Sequence, residues 1–121
     1  MTGVTSVLVL SEVRHRLLRA EVIAKHGIPG RNAVRYMRQH PQIIAQLTDT
    51  RRTFRELRRW PLRLVHLTRR QLWQSLRISE RLGLLTHDAL HVATLRAHGL
   101  RHLASADHDF DAVPGLTRWS P

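Results

Sequence analysis

Three aspartates stand at alternate positions near the C-terminus, in the stretch LASADHDFDAVPGL of residues 103–116. Asp107, Asp109 and Asp111 make up a third of the nine acidic residues in a chain that has twenty Lys and Arg. Carboxylates concentrated in this way either bind a cation or form a solvated turn, where Asp suits the backbone geometry. The segment is the first candidate for chemistry, and both interpretations stay open on spacing alone.

Two further acids stand where a carboxylate needs an explanation. Asp88 falls in the first turn of a predicted helix, where the helix dipole favours its ionised form. Glu12 interrupts an apolar and basic helix face between Leu10 and Val13. Each has a purely structural alternative, since Asp88 can act as a cap and Glu12 can pair with Arg16 one turn later.

Carboxylates in a chain without cysteine are the ligands that hard cations prefer, which predicts Mg²⁺ or Mn²⁺ rather than a thiolate metal site. The net charge of +11 indicates a polyanionic partner, either a nucleic acid or a strongly acidic protein. Absence of cysteine favours a reducing compartment, and neither a membrane span nor a signal peptide is recognisable. We expect a cytoplasmic protein with one domain over residues 1–121.

The arginines cluster in the middle of the chain. Five of them are predicted on one helix: Arg51, Arg52, Arg55, Arg58 and Arg59. They form either a phosphate track, a docking surface for an acidic protein, or a solvated helix exterior. A coding sequence rich in G and C would also favour arginine.

The elements that must position these residues alternate between helices and short strands. Ser6 is predicted to cap a helix over Val7 to His26, and Thr68 with Gln71 forms the capping box of a helix that Gly83 ends. The other predicted elements are a helix over Asn32 to Gln39, a helix from Pro41 with apolar positions through Leu57, a strand near Arg63 to His66, a Thr86-capped helix closed by Gly99, a buried strand in RHLASA, and a last strand in LTRW. Such alternation indicates an α/β fold with a mostly parallel sheet flanked by helices, and places Asp107 beyond the carboxyl end of a strand.

Two segments, VTSVLVLSEVRHRL and LLTHDALHVATLRAHGLRHLASADHDFDAVPGL, resemble the PIN-domain ribonucleases, the family of the VapC-type toxins of bacterial toxin–antitoxin pairs. The resemblance implies that Glu12, Asp88 and Asp107 match three acids of the family's active site. It also implies that Asp109 matches a further acid and that Ser105 holds the place of a supporting hydroxyl. The closing segment carries the more specific part of the likeness.

The family begins with a central strand that carries a metal-binding Asp, in a motif such as DTN, and no residue before Gly3 matches it. A start assigned too late, a shortened chain and a degenerate relative would each explain this difference. We favour the first, because Met1 stands partway through a recognisable element. The expected fold is therefore an N-terminally truncated form of the PIN-like three-layer α/β/α arrangement.

The function implied by the resemblance is a metal-dependent endoribonuclease that hydrolyses RNA phosphodiesters. Glu12, Asp88 and Asp107 would be catalytic and, with Asp109, would bind Mg²⁺ or Mn²⁺. The implied partners are an RNA substrate, an acidic antitoxin protein and a second copy in a homodimer. The alternative is a catalytically inactive PIN-like protein that binds RNA or protein.

Overall fold

The computed structural model describes residues 2–121 and divides the chain into two compact units, Met1–His66 and Leu67–Pro121. The first unit contains β1 (Gly3–Ser6), α1 (Val7–His26), a 3₁₀ turn (Gly30–Asn32), α2 (Ala33–Gln39), a 3₁₀ segment (Pro41–Gln46), α3 (Thr48–Leu57) and β2 (Leu62–Val65). The second contains α4 (Arg69–Leu82), α5 (Thr86–Ala97), β3 (His102–Ala104), a 3₁₀ segment (His108–Ala112) and β4 (Thr117–Trp119).

Helix α1 has the predicted bounds, and its ends show why. The Ser6 hydroxyl accepts a hydrogen bond from the Val9 amide at 3.1 Å, and Gly27 adopts a left-handed conformation after the last turn. The residues before the helix form β1, which sequence periodicity did not predict. Strand β1 pairs in parallel with β2, with Gly3 opposite Leu62 and Ser6 opposite Val65.

The apolar pattern from Pro41 to Leu57 was predicted as one helix, and this was wrong. The chain forms the 3₁₀ segment Pro41–Gln46, leaves the helical conformation at Leu47, and becomes helical again in α3. Leu47 has a non-helical ψ of 76° and is almost fully buried in the core of the first unit, so packing of its side chain competes with continuation of the helix. Arg58 and Arg59 lie beyond the end of α3, contrary to the prediction that they belong to the helix.

The start of α3 is stabilised by a carboxylate from α1. Leu47 precedes the helix and cannot cap it with a side chain, so Glu21 accepts the hydrogen bonds of the Asp49 and Thr50 amides at 3.1 and 2.7 Å. Lys25 donates to the same carboxylate at 2.6 Å. Glu21 is only 7% exposed, so it serves as a buried cap supplied by a different helix.

In the second unit, α4 and α5 pack against each other around a core that includes Ile78, Val92 and Phe110. The capping box predicted at the start of α4 is present, and Gly83 ends the helix with φ of 66°. The predicted cap at Thr86 is wrong: Thr86 is already helical, and Leu85 precedes it without a side-chain hydrogen bond. Otherwise α5 agrees with the predicted helix between Thr86 and Gly99 to within the residue or two by which helix ends vary.

Strands β3 and β4 form a second parallel pair, with Leu103 opposite Arg118. Both strands were predicted, but β3 is not buried as expected: His102 and Ala104 are exposed and only Leu103 packs against the core. Strand β3 has a single paired neighbour, β4, where a place inside one larger sheet was expected.

The predicted class, an α/β fold with parallel strands and flanking helices, is confirmed. Among residues 2–121 the strands form two parallel pairs, β1 with β2 and β3 with β4, where one sheet was expected. No helix in that range has the length and apolar content that crossing a bilayer requires.

Candidate metal centre

Asp88 is placed by α5, which begins two residues before it. The helix buries Ala89, Val92 and Ala93, and this fixes its rotation so that the neighbouring Asp88 is left half-buried. The first turn of a helix carries partial positive charge from unpaired amides, and the N-cap residue of α5, Leu85, makes no side-chain cap hydrogen bond. The helix dipole therefore attracts the carboxylate of Asp88.

Asp107 and Asp109 are placed by the turn that follows β3. Asp107 caps the 3₁₀ segment, and its Oδ1 accepts a hydrogen bond from the Asp109 amide at 2.9 Å. The Asp107 amide in turn donates to the Ser105 hydroxyl at 3.1 Å. Phe110 is 4% exposed and inserts into the core, so one aromatic side chain anchors a turn whose carboxylates stay in solvent.

These elements bring three carboxylates together. Asp88, Asp107 and Asp109 each offer an oxygen, and the three oxygens lie within 4.8 Å of one another. Three like charges at this separation repel one another, and a divalent cation that accepts oxygen ligands relieves the repulsion. The cluster fits Mg²⁺ or Mn²⁺ by donor chemistry, since every ligand atom is a carboxylate oxygen.

Asp111, the third acid of the alternating run, has a different role. Its two oxygens accept hydrogen bonds from Arg118 at 2.7 and 3.2 Å, and His108 lies 3.2 Å from one of them. The Arg118 bond, with a smaller effect of His108, lowers the pKa of Asp111 below its usual range. Asp111 is therefore held as an ion-pair partner, so the run contributes two carboxylates to the cluster and one to an ion pair.

Arg118 is the residue at this site that sequence reasoning missed. Besides binding Asp111, its Nη1 donates to the Ser105 carbonyl at 3.0 Å, which ties β4 to the turn. The hydrogen bond to Asp111 raises the pKa of Arg118, and the charge of Asp107 raises it further. The sequence did contain a signal for Arg118, because this residue lies in the predicted last strand, LTRW. A strand that pairs in parallel with β3 ends beside the turn that follows β3.

Glu12 and the predicted arginine contacts lie in the first unit. Glu12 is half-buried in the second turn of α1, and its place as a metal ligand stays a prediction. Arg51 bonds to the Ala45 carbonyl, and Arg52 pairs with Asp49 at 3.2 Å. Arg55, Arg58 and Arg59 are exposed, and the role of all five arginines toward RNA or a partner stays a prediction.

Replacing Arg118 with Gln should weaken Mn²⁺ binding by about tenfold, the usual cost of losing a group that orients metal ligands. The reason is that Gln cannot form the paired bond to Asp111 while also holding the Ser105 carbonyl. Arg101→Gln removes the same charge from an exposed position before β3 and should have little effect. Equal losses in the two variants would show that Arg118 acts only through net charge.

A model of the PIN domain family matches residues 2–116, a range that runs across both compact units. No curated protein and no solved structure matches the chain significantly. PIN domains are generally metal-dependent nucleases, and the helix-rich α/β structure with parallel strands agrees with their α/β/α fold. With the match covering nearly its whole length, the chain belongs to the PIN-domain family.

Proposed function

We propose that this chain is an endoribonuclease of the PIN type that cuts RNA phosphodiesters with Mg²⁺ or Mn²⁺. The observation that carries the proposal is the approach of Asp88, Asp107 and Asp109 to within 4.8 Å. Family membership supports the nuclease class, and a net charge of +11 suits a polyanionic substrate. The finer assignment, to the VapC toxin type, rests on the resemblance of the two sequence segments.

Asp88, Asp107 and Asp109 would hold the ion, with Glu12 as a further ligand and catalytic residue. A bound divalent ion supplies Lewis-acid stabilisation of phosphate charge and a water of lowered pKa. The chain keeps the carboxylates ready for this role: the Asp109 amide orients Asp107, and Ser105 holds the backbone between β3 and the turn. Arg118 donates a hydrogen bond to Asp111 and so stabilises the C-terminal part of the same turn.

The wider biological role extends the same proposal. We expect an acidic antitoxin as protein partner, a homodimer, and action in the cytoplasm, as the toxin resemblance implies. The single domain predicted for residues 1–121 also stays a prediction, supported by a family match that spans both units.

Cleavage should depend on added metal. Chelator-treated protein incubated with an RNA that contains single-stranded and hairpin segments should cut it only after Mg²⁺ or Mn²⁺ is restored, with a rate increase of at least about a hundredfold. Loss of the free Mn²⁺ signal in electron paramagnetic resonance would measure ion binding independently. Cutting that persists in chelator would contradict the mechanism, and RNA binding without any metal-dependent cutting would favour the inactive RNA-binding alternative.

A further inference from the structure

A groove in the second unit, separate from the carboxylate cluster, is lined by arginines of two helices. It has a volume of about 510 Å³, and we call it the α4–α5 groove. Its residues relevant here are Arg70, Gln74, Arg77 and Arg81 from α4 and Ala93 and Arg96 from α5.

The arginines of α4 share one side of the helix. Arg70, Arg77 and Arg81 are spaced by seven and four residues, so they align within about 40° and extend for roughly 16 Å along the axis. Each is exposed, and Ile78 and Ala93 give the groove a buried apolar floor. The groove thus combines a line of cations with a surface on which their aliphatic stems can rest.

The guanidinium groups of this line are available for an external anion. The ion pairs formed among residues 2–121 leave out Arg70, Arg77, Arg81 and Arg96. Free guanidinium groups bind phosphate oxygens through two parallel N–H donors. This contrasts with Arg51 and Arg52 on α3, which already have partners inside the chain.

A tryptophan stands at the edge of the same arginine line. Trp73 is 60% exposed and borders a second hollow together with Arg69, Arg70 and Arg77. An exposed indole between guanidinium groups offers a face on which an unpaired base can stack, and such stacking is a main source of affinity for single strands. A duplex, whose bases are already stacked, gains nothing from it.

The groove and the carboxylates are joined by one rigid element. Asp88 stands in the first turn of α5 and Arg96 in the last, eight residues apart, which corresponds to about 12 Å along the axis. A strand of a few nucleotides spans that distance. Phosphates held by Arg96 therefore lie within reach of the same strand's phosphate at the carboxylate cluster.

We propose that the α4–α5 groove binds the backbone of single-stranded RNA, with Trp73 stacking on one base, and so delivers the strand to the carboxylate cluster. The proposal rests on the proposed function for its substrate class. An acidic protein would satisfy the arginines, but it supplies no flat base for Trp73. The single strand is therefore the favoured occupant.

The test is binding of a fluorescent 12-nucleotide single-stranded RNA, roughly the strand length that one binding domain covers, in chelator so that no cutting occurs. The triple variant Arg70→Gln, Arg77→Gln, Arg81→Gln should lose at least about thirtyfold in affinity near 0.1 M salt. Its slope of log affinity against log salt should fall by about 2, because three arginines no longer neutralise phosphates of the single strand. The matched control, Arg31→Gln, Arg35→Gln, Arg38→Gln, removes equal charge at exposed positions on and just before α2 and should lose only a fewfold. Equal losses would overturn the groove assignment.

Tryptophan substitutions test the strand preference separately. Trp73→Ala should weaken single-strand binding about tenfold and leave duplex binding unchanged, whereas Trp60→Ala, also 60% exposed, should change neither. Poly-glutamate serves as a probe for an acidic protein partner. If it binds as tightly as RNA, and if the groove variant weakens its binding as much as RNA binding, the groove proposal is wrong and an acidic protein is the occupant. Binding is measured without metal, so the two proposals can fail separately. If the groove binds RNA but the chain never cuts it, only the proposed nuclease function is refuted. If the groove variant cuts RNA as fast as the native chain, only the groove proposal is refuted.

Discussion

Replacing Asp107 with Asn should reduce Mg²⁺- or Mn²⁺-dependent RNA cleavage by at least about a hundredfold. Losing a group that merely orients metal ligands costs ten- to a hundredfold, so losing a ligand should cost no less than the upper value. Asn keeps an oxygen that can accept the Asp109 amide and is itself a good cap, so the 3₁₀ segment should stay folded. The measurement is the initial cleavage rate at several metal concentrations.

Asp88→Asn should have a similar effect, and the double variant should be little worse than either single one, because residues that hold one ion act as a unit. Glu80→Gln removes an exposed carboxylate from α4 outside the cluster and serves as the control. Mn²⁺ binding should fall with activity in the Asp variants and not in the control. Cutting that survives Asp107→Asn would rule out the carboxylate mechanism.

Replacing Glu21 with Gln should lower the free energy of unfolding by about 3 kcal/mol, the upper end of the range for leaving buried hydrogen-bonding groups unsatisfied. The amide has only one acceptor oxygen, so the paired amides of Asp49 and Thr50 cannot both be satisfied, and Lys25 loses the nearer of its two acidic partners. Denaturant unfolding of both proteins at neutral pH measures the difference. Glu56→Gln, at an exposed position of α3, should change stability by less than about 0.5 kcal/mol.

The same carboxylate predicts a pH dependence. Burial of Glu21 raises its pKa, but the Lys25 hydrogen bond and the amides of Thr50 and Asp49 outweigh burial and bring the pKa down from 4.5 to about 2. A lowered folded-state pKa gives stability that is complete above pH 4.5 and is lost as pH falls toward 2. The stability gap between the native chain and Glu21→Gln should therefore shrink by about 2–3 kcal/mol between pH 6 and pH 2. A gap that stays constant would show that Glu21 titrates normally.

The sequence by itself determined the features that depend on a few neighbouring residues. Ser6 caps α1, and Thr68 with Gln71 forms a reciprocal box, because donor and acceptor stand three residues apart in each case. Gly83 ends α4 because the left-handed conformation there suits a residue without a side chain. The approach of Asp88 to Asp107 was also predictable, since the family motif and the ends of helix and strand all placed these acids at one site.

Only the tertiary structure decided the interactions between distant residues. Glu21 caps a helix that starts 27 positions later. Arg118, seven positions from Asp111, forms an ion pair with that aspartate, which therefore has a different role from Asp107 and Asp109. The break at Leu47 and the pairing of β1 with β2 likewise depend on packing against segments far along the chain. Hydrophobic periodicity and capping signals describe local conformational preferences. Ion pairs between distant residues and the pairing of short strands form only when folding brings remote segments into contact.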